Sequence, residues 1–203
     1  MNPLLTVRGA ITTGFVLALV LAILIAPTAF HELGLARWLH ILSGITWIGL
    51  LYYFNVVQVP ALAEAAADKG GPGGAGISKY VAPRALLWFR WGAVATWFTG
   101  FWYLARNHAL GAFALGLGGE TVDVYQQVIG VGAWLGTIML FNVWVLIWPN
   151  QKKLLGLTPA SDEEKASARK VALLASRANF VLSVPMLMCM ASAGHGANRG
   201  LPL

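Results

Sequence analysis

Long apolar runs separated by short polar segments dominate the chain. Five of them are long enough to cross a hydrocarbon core about 30 Å thick, which takes about 20 helical residues. They cover residues 9–30, 36–59, 83–104, 122–148 and 171–192. Pro83 suits a first helical turn, where its missing N–H has no partner to lose. Ser161 and Glu164 form a capping-box pattern ahead of Lys165 and Arg169, so a water-exposed turn or two should precede the fifth run. The pattern predicts an all-α, polytopic transmembrane helix bundle of about five spans, one domain over residues 1–203. Residues 68–76 are dominated by glycine and read as a flexible loop. Residues 109–119 are small and apolar, and suit either the membrane interface or a fold back onto the bundle. No internal repeat stands out.

Composition agrees. Of 203 residues, 58% are hydrophobic and 11% are charged. Soluble domains carry about 25% charged residues, so lipid is the natural solvent for this surface. The net charge of +6 is no nucleic-acid signature, because the basic residues sit in loops between the runs. There they set topology. With five spans, eleven Lys and Arg fall on the side of the N-terminus and three (Arg37, Arg106, Arg199) on the other. The positive-inside rule then places the N-terminus in the cytoplasm and the C-terminus in the periplasm. Trp38, Trp102 and Trp148 are expected at the interfaces, and Trp47, Trp97, Trp134 and Trp144 inside the bundle. The one cysteine, Cys189, excludes an internal disulfide and a CxxCH haem attachment.

Under this topology all four histidines, His31, His40, His108 and His195, lie at or near the outer face. His40 is about a turn inside its helix, and a histidine at membrane depth is a functional hypothesis by default. Gly44, one turn on, removes a side chain where a flat ring could lie, and Trp47 follows on the same face. His195 stands between Gly194 and Gly196. Gly132 and Gly136 form a small-xxx-small face on the fourth helix. Two histidines at similar depth among such glycines suit the axial ligation of a b-type haem. The same imidazoles, with His31 as a further metal ligand, would suit copper or zinc. A third reading has them meeting only water and headgroups, with no cofactor.

The cytoplasmic half holds a second polar group. It comprises Asn55 and Gln58, Arg84 and Arg90, Asn142, Asn150, Gln151 and Lys152, and then Arg177, Asn179 and Ser183 below Pro185. Two explanations stand open. The arginines snorkel while the amides bond across helices. Alternatively Arg90, Asn55, Asn142, Arg177 and Asn179 line a cavity for a polar planar molecule, a quinone headgroup or a purine, with Pro185 marking a helix break. No Asp or Glu stands beside them as a base, so this half favours binding over catalysis, and no catalytic residue is assigned.

Several stretches carry a resemblance. Residues 38–55 (WLHILSGITWIGLLYYFN), 85–92 (ALLWFRWG), 141–153 (FNVWVLIWPNQKK), 176–179 (SRAN) and 182–186 (LSVPM) are similar to the membrane, N-terminal domain of bacterial PuuD-type urate oxidases. The resemblance implies an inner-membrane oxidoreductase. Its membrane domain would be followed by a C-terminal c-type cytochrome domain that takes electrons from urate. This chain reads as a shortened form lacking that domain. The His40, Gly44, Trp47 pattern also resembles HemJ-type and CopD-type membrane proteins, which points to His40 as a ligand. Three functions follow as expectations: a haem protein passing electrons to a periplasmic c-type cytochrome; a urate hydroxylase working with a separate cytochrome; and a cofactor-free accessory subunit of a respiratory or photosynthetic complex. Expected partners are the bilayer, a c-type cytochrome or larger membrane complex, and a second copy of the chain.

Overall fold

A computed structural model describes residues 2–25, 31–106 and 108–195, with side chains through 192. Those residues form helices and no strands. A short turn at Pro3–Leu5 precedes α1 (Val7–Ile25). There follow α2 (Glu32–Ala67), α3 (Ala82–Ala105), the short α4 (Ala109–Phe113), α5 (Val124–Leu154) and α6 (Asp162–His195). Four of them, α1, α2, α5 and α6, are long and apolar enough to cross a membrane. The sequence pattern suggested five. The remaining one, α3, has the length at 24 residues, but its two arginines and its tryptophans lower its hydropathy. It packs along α2 all the same.

The helices outrun the apolar runs because polar ends continue them. Ser161 and Glu164 cap α6 as the sequence suggested: the Ser161 amide donates to the Glu164 carboxylate at 2.8 Å and the Glu164 amide to the Ser161 hydroxyl at 3.2 Å. The apolar segment after α3 folds back rather than lying apart. Ala112 is buried, and the Trp134 indole on α5 donates to the Phe113 carbonyl at 3.1 Å.

Three helical stretches are wound as π-helix: Tyr53–Gln58 in α2, Ile77–Val81 leading into α3, and Asn142–Ile147 in α5. Each ends two residues before a proline: Pro60, Pro83 and Pro149. Proline has no N–H to give the carbonyl four residues back, and its ring crowds that carbonyl. The turn ahead widens in response. The amides of Val59, Ala82 and Trp148 reach back five residues, to Phe54, Ile77 and Val143. Pro185, where a helix break was expected, instead lies within continuous α6.

Helices α2 and α3 form one antiparallel hairpin, and α5 and α6 another. The first is registered by Trp47 against Gly92 and His40 against Gly100. In the second, Gly132 faces Cys189 and Met190, close enough that an added Cβ would stand 3.1 Å from that of Cys189. Contacts of Asn55 with Ser176 and Tyr52 with Phe180 make α2 antiparallel to α6, and hence parallel to α5. A spacing of 87 positions relates the two hairpins, although their π-helical turns at 53–58 and 142–147 lie 89 apart. Trp47, Gly49, Phe54, Asn55 and Val56 match Trp134, Gly136, Phe141, Asn142 and Val143, each pair 87 positions apart. At the same spacing Ala85, Leu86, Leu87 and Arg90 match Ala172, Leu173, Leu174 and Arg177, and His108 matches His195. The bundle is a duplicated hairpin in two parallel copies, the arrangement of repeats related by an axis along the membrane normal.

The main core lies where the copies meet. It gathers Trp47, Leu51 and Phe54 of α2, Leu86 and Phe89 of α3, Met139, Val143 and Ile147 of α5, and Ala175 and Met186 of α6. A smaller cluster of Leu104, Ala112, Ile129 and Ala133 closes the end at which α2 begins. There Arg106, just past α3, clamps the Glu32 carboxylate with two bonds of 2.7 Å, and Trp102 adds a third. The bonds from Arg106 to Glu32, and then the charge of that carboxylate, raise the Arg106 pKa. Helix α1 has no buried residue and touches α2 through Phe15 and Trp38, ring centroids 5.6 Å apart.

Candidate functional site

Two layers of polar side chains lie at opposite ends of the hairpins. At the histidine end, His40 is set by α3. Its Nδ1 lies 2.7 Å from the Thr96 carbonyl oxygen. A carbonyl only accepts, so Nδ1 carries the proton and Nε2 keeps its lone pair. That tautomer, with the far nitrogen bonded to a carbonyl, is the one metal-ligating histidines adopt. The Cε1–Nδ1 edge of the ring packs against Gly100, where an added Cβ would stand 2.7 Å from Cε1 and 2.8 Å from Nδ1. Gly100, absent from the sequence reading, seats the imidazole, a role distinct from the cofactor space expected at Gly44. A Cβ on Gly44 would meet only the Thr96 methyl, at 3.7 Å. Gly136 is buried, yet a Cβ there would have nothing within 4 Å. Gly132, by contrast, does bring α5 against α6.

The other histidines are placed differently. His31 caps α2, its Nδ1 accepting from the Gly34 amide at 3.1 Å on an exposed surface. His108 sets its ring edge-on to Tyr125, centroids 5.3 Å apart. The side chain of His195 lies outside the described residues. No group of three or more His, Cys, Asp or Glu that could hold a metal ion occurs among the described residues. Haem ligation needs only two axial groups, and for one of these His40 has the right tautomer with open glycines nearby.

At the arginine end the amides do bond across helices. Asn142 donates to Asn179 at 2.8 Å, and Asn179, fully buried, donates to the Met139 carbonyl at 2.9 Å. Asn55 donates to Leu51 O and to the Ser176 hydroxyl, both at 2.9 Å. Ser183 donates to the Phe180 carbonyl at 2.7 Å and accepts from the Tyr52 hydroxyl at 3.2 Å. The widened turns before Pro60 and Pro149 carry Asn55 and Asn142 within reach of α6. Both arginines sit apart from this network. The Arg90 guanidinium lies over the Trp148 ring at 3.7 Å, while Arg177 is exposed. Trp148 is thus a partner inside a helix that continues to Leu154, not an interfacial residue at its end. Trp134, expected inside the bundle, is 45% exposed.

Four buried polar atoms have no partner among the described residues: the indole N–H of Trp47 and of Trp144, Asn55 Oδ1 and Gln58 Oε1. The Asn55 assignment is chemically forced, because the nitrogen must face the Leu51 carbonyl. Unpaired buried acceptors in an apolar medium are costly. Asn55 Oδ1 and Gln58 Oε1 belong to the same π-helical turn, and such turns are frequent at functional sites. Together they leave two acceptors available to a donor-bearing ligand.

These features define a helical protein with the properties of a membrane-spanning bundle, with one preset histidine and one buried amide layer. Residues 123–200 match the family described as Urate oxidase N-terminal. No curated protein and no solved structure matches the chain. The matched stretch coincides with the second hairpin copy. Shifted by 87 positions it falls on 36–113, the first copy, which contributes His40.

Proposed function

We propose that this chain is a urate-oxidase-like membrane protein that binds b-type haem through His40 and passes electrons to a c-type cytochrome. The observation that carries the reading is the His40 ring, packed against Gly100 with Nδ1 bonded to Thr96 O and Nε2 left to ligate. His195 is the second ligand in this reading. The register set by Asn55 with Ser176 and Tyr52 with Phe180, continued along α2 and α6, would put position 195 level with residues 36–37, about one turn from His40.

Bound there, haem would supply a one-electron relay. The chain's own residues do the rest. Thr96 O holds the His40 tautomer, Gly100 fixes the ring plane, and Gly44 and Gly136 leave room. At the other end Asn55 Oδ1 and Gln58 Oε1 would accept from the N–H groups of a planar reductant, urate in the family's chemistry. Five spans, with the histidines facing the periplasm of a bacterial inner membrane, complete the proposal. An optical spectrum of protein purified from haem-sufficient cells tests it. A reducible Soret band lost in His40→Ala is expected; a colourless wild-type protein overturns the reading.

A further inference from the structure

A second site lies apart from the His40 seat and the buried amide network. An open groove of about 670 Å³ runs along the outside of the first hairpin. Its α2 wall is Ile45, Thr46, Gly49, Leu50 and Tyr53. Its α3 wall is Tyr80, Val81, Arg84, Ala85 and Trp88. Both walls step by the same helical interval and span eight residues, so the groove is about 12 Å long at 1.5 Å per residue. Gly49 keeps it open, since a Cβ there would have nothing within 4 Å. The lining is apolar apart from one end, where Tyr80 and Arg84 stand.

That end is positively charged and unneutralised. Arg84 gives one N–H to the Tyr80 carbonyl, which leaves most of its five donors unspent. The Lys79 ammonium lies 5.3 Å from the centre of the Tyr80 ring. Neither cation is in an ion pair among the described residues. Tyr80 and Trp88, both more than half exposed, flank the cleft as interfacial aromatics do. An apolar slot close to the length of half a bilayer core, ending in an arginine and a lysine, matches one acyl chain and its anionic headgroup. The duplication sharpens the point. At the position corresponding to Arg84 the second hairpin has Val171, and at that of Lys79 it has Ala166. At these two positions only the first copy is charged.

We propose that this groove is a binding site for an anionic phospholipid, with an acyl chain along Gly49 and Leu50 and the phosphate on Arg84 and Lys79. The site depends on neither the histidine nor the amide layer. Native mass spectrometry of the delipidated full chain, titrated with phosphatidylglycerol or phosphatidylcholine, tests it. Phosphatidylglycerol should be retained in preference, with a loss of about fivefold for each cation removed in Arg84→Gln and Lys79→Gln. Gly49→Leu should displace the lipid by filling the slot while both cations remain. Arg177→Gln, an exposed arginine elsewhere, should change nothing, and circular dichroism should show all four variants helical. Equal retention of phosphatidylcholine, or undiminished phosphatidylglycerol retention in both Arg84→Gln and Gly49→Leu, overturns the proposal.

Discussion

The two hairpins began as one pattern and now do different work. In the first, Trp47 is 2% exposed; in the second its counterpart Trp134 is 45% exposed. Arg90 covers the Trp148 ring, whereas Arg177 is exposed. His40 corresponds to Gln127, and Gly100, which seats the imidazole, to Leu187. Asn179, the centre of the amide network, corresponds to Gly92, which lets the Trp47 backbone approach α3. The first copy therefore holds the ring site, and the second supplies the polar lock. The difference teaches that a repeated motif does not carry a repeated role. Burial and partners are set by what each copy packs against.

The sharpest way to break this comparison is at the ring. Gly100→Ala places a methyl within 3 Å of the His40 ring, which must turn off Thr96 O. Haem affinity should fall about 10- to 100-fold, the usual effect of disturbing the group that orients a metal-bound histidine. Leu187→Ala, at the matching position, should leave it unchanged. Haem titration monitored at the Soret band compares them; equal losses would erase the asymmetry.

The lock comes next. Asn179→Leu removes two interhelical hydrogen bonds and strands the Asn142 side-chain amide. We expect a loss of about 1–3 kcal/mol in reversible unfolding in mixed micelles. The double variant Asn142→Leu, Asn179→Leu should recover part of it, because one orphaned group is gone. If Asn179→Leu is silent, the amides are not what joins the hairpins.

The smallest effect concerns the arginines. Arg90→Gln gives up a cation–π contact with Trp148, worth about 0.5–1 kcal/mol where water still reaches the pair. Arg177→Gln should be neutral by the same measurement. Matching losses would mean that both arginines serve the fold alike.

Much of this architecture was legible in the one-dimensional pattern. Apolar runs located the helices, Ser161 and Glu164 located a cap, and the charge count separated imidazoles from arginines and amides. Those signals are local, arising from hydration and from groups within a turn of one another. His40 was picked out because an imidazole in an apolar run is rare whatever surrounds it. The repeat stayed hidden because few positions retain identity between the hairpins.

Tertiary structure alone decided the rest. Gly100 seats the His40 ring, and the sequence could not show it because that neighbour lies on another helix 60 residues away. Arg90 met Trp148 rather than the amides, and Asn179 chose Asn142 and a backbone carbonyl. Lipid offers no hydrogen bonds, so a polar group in it must find whichever partner the packing brings near. Sequence could say that such groups need partners. Which partner each one found depended on how two parallel copies of a hairpin came to rest against each other.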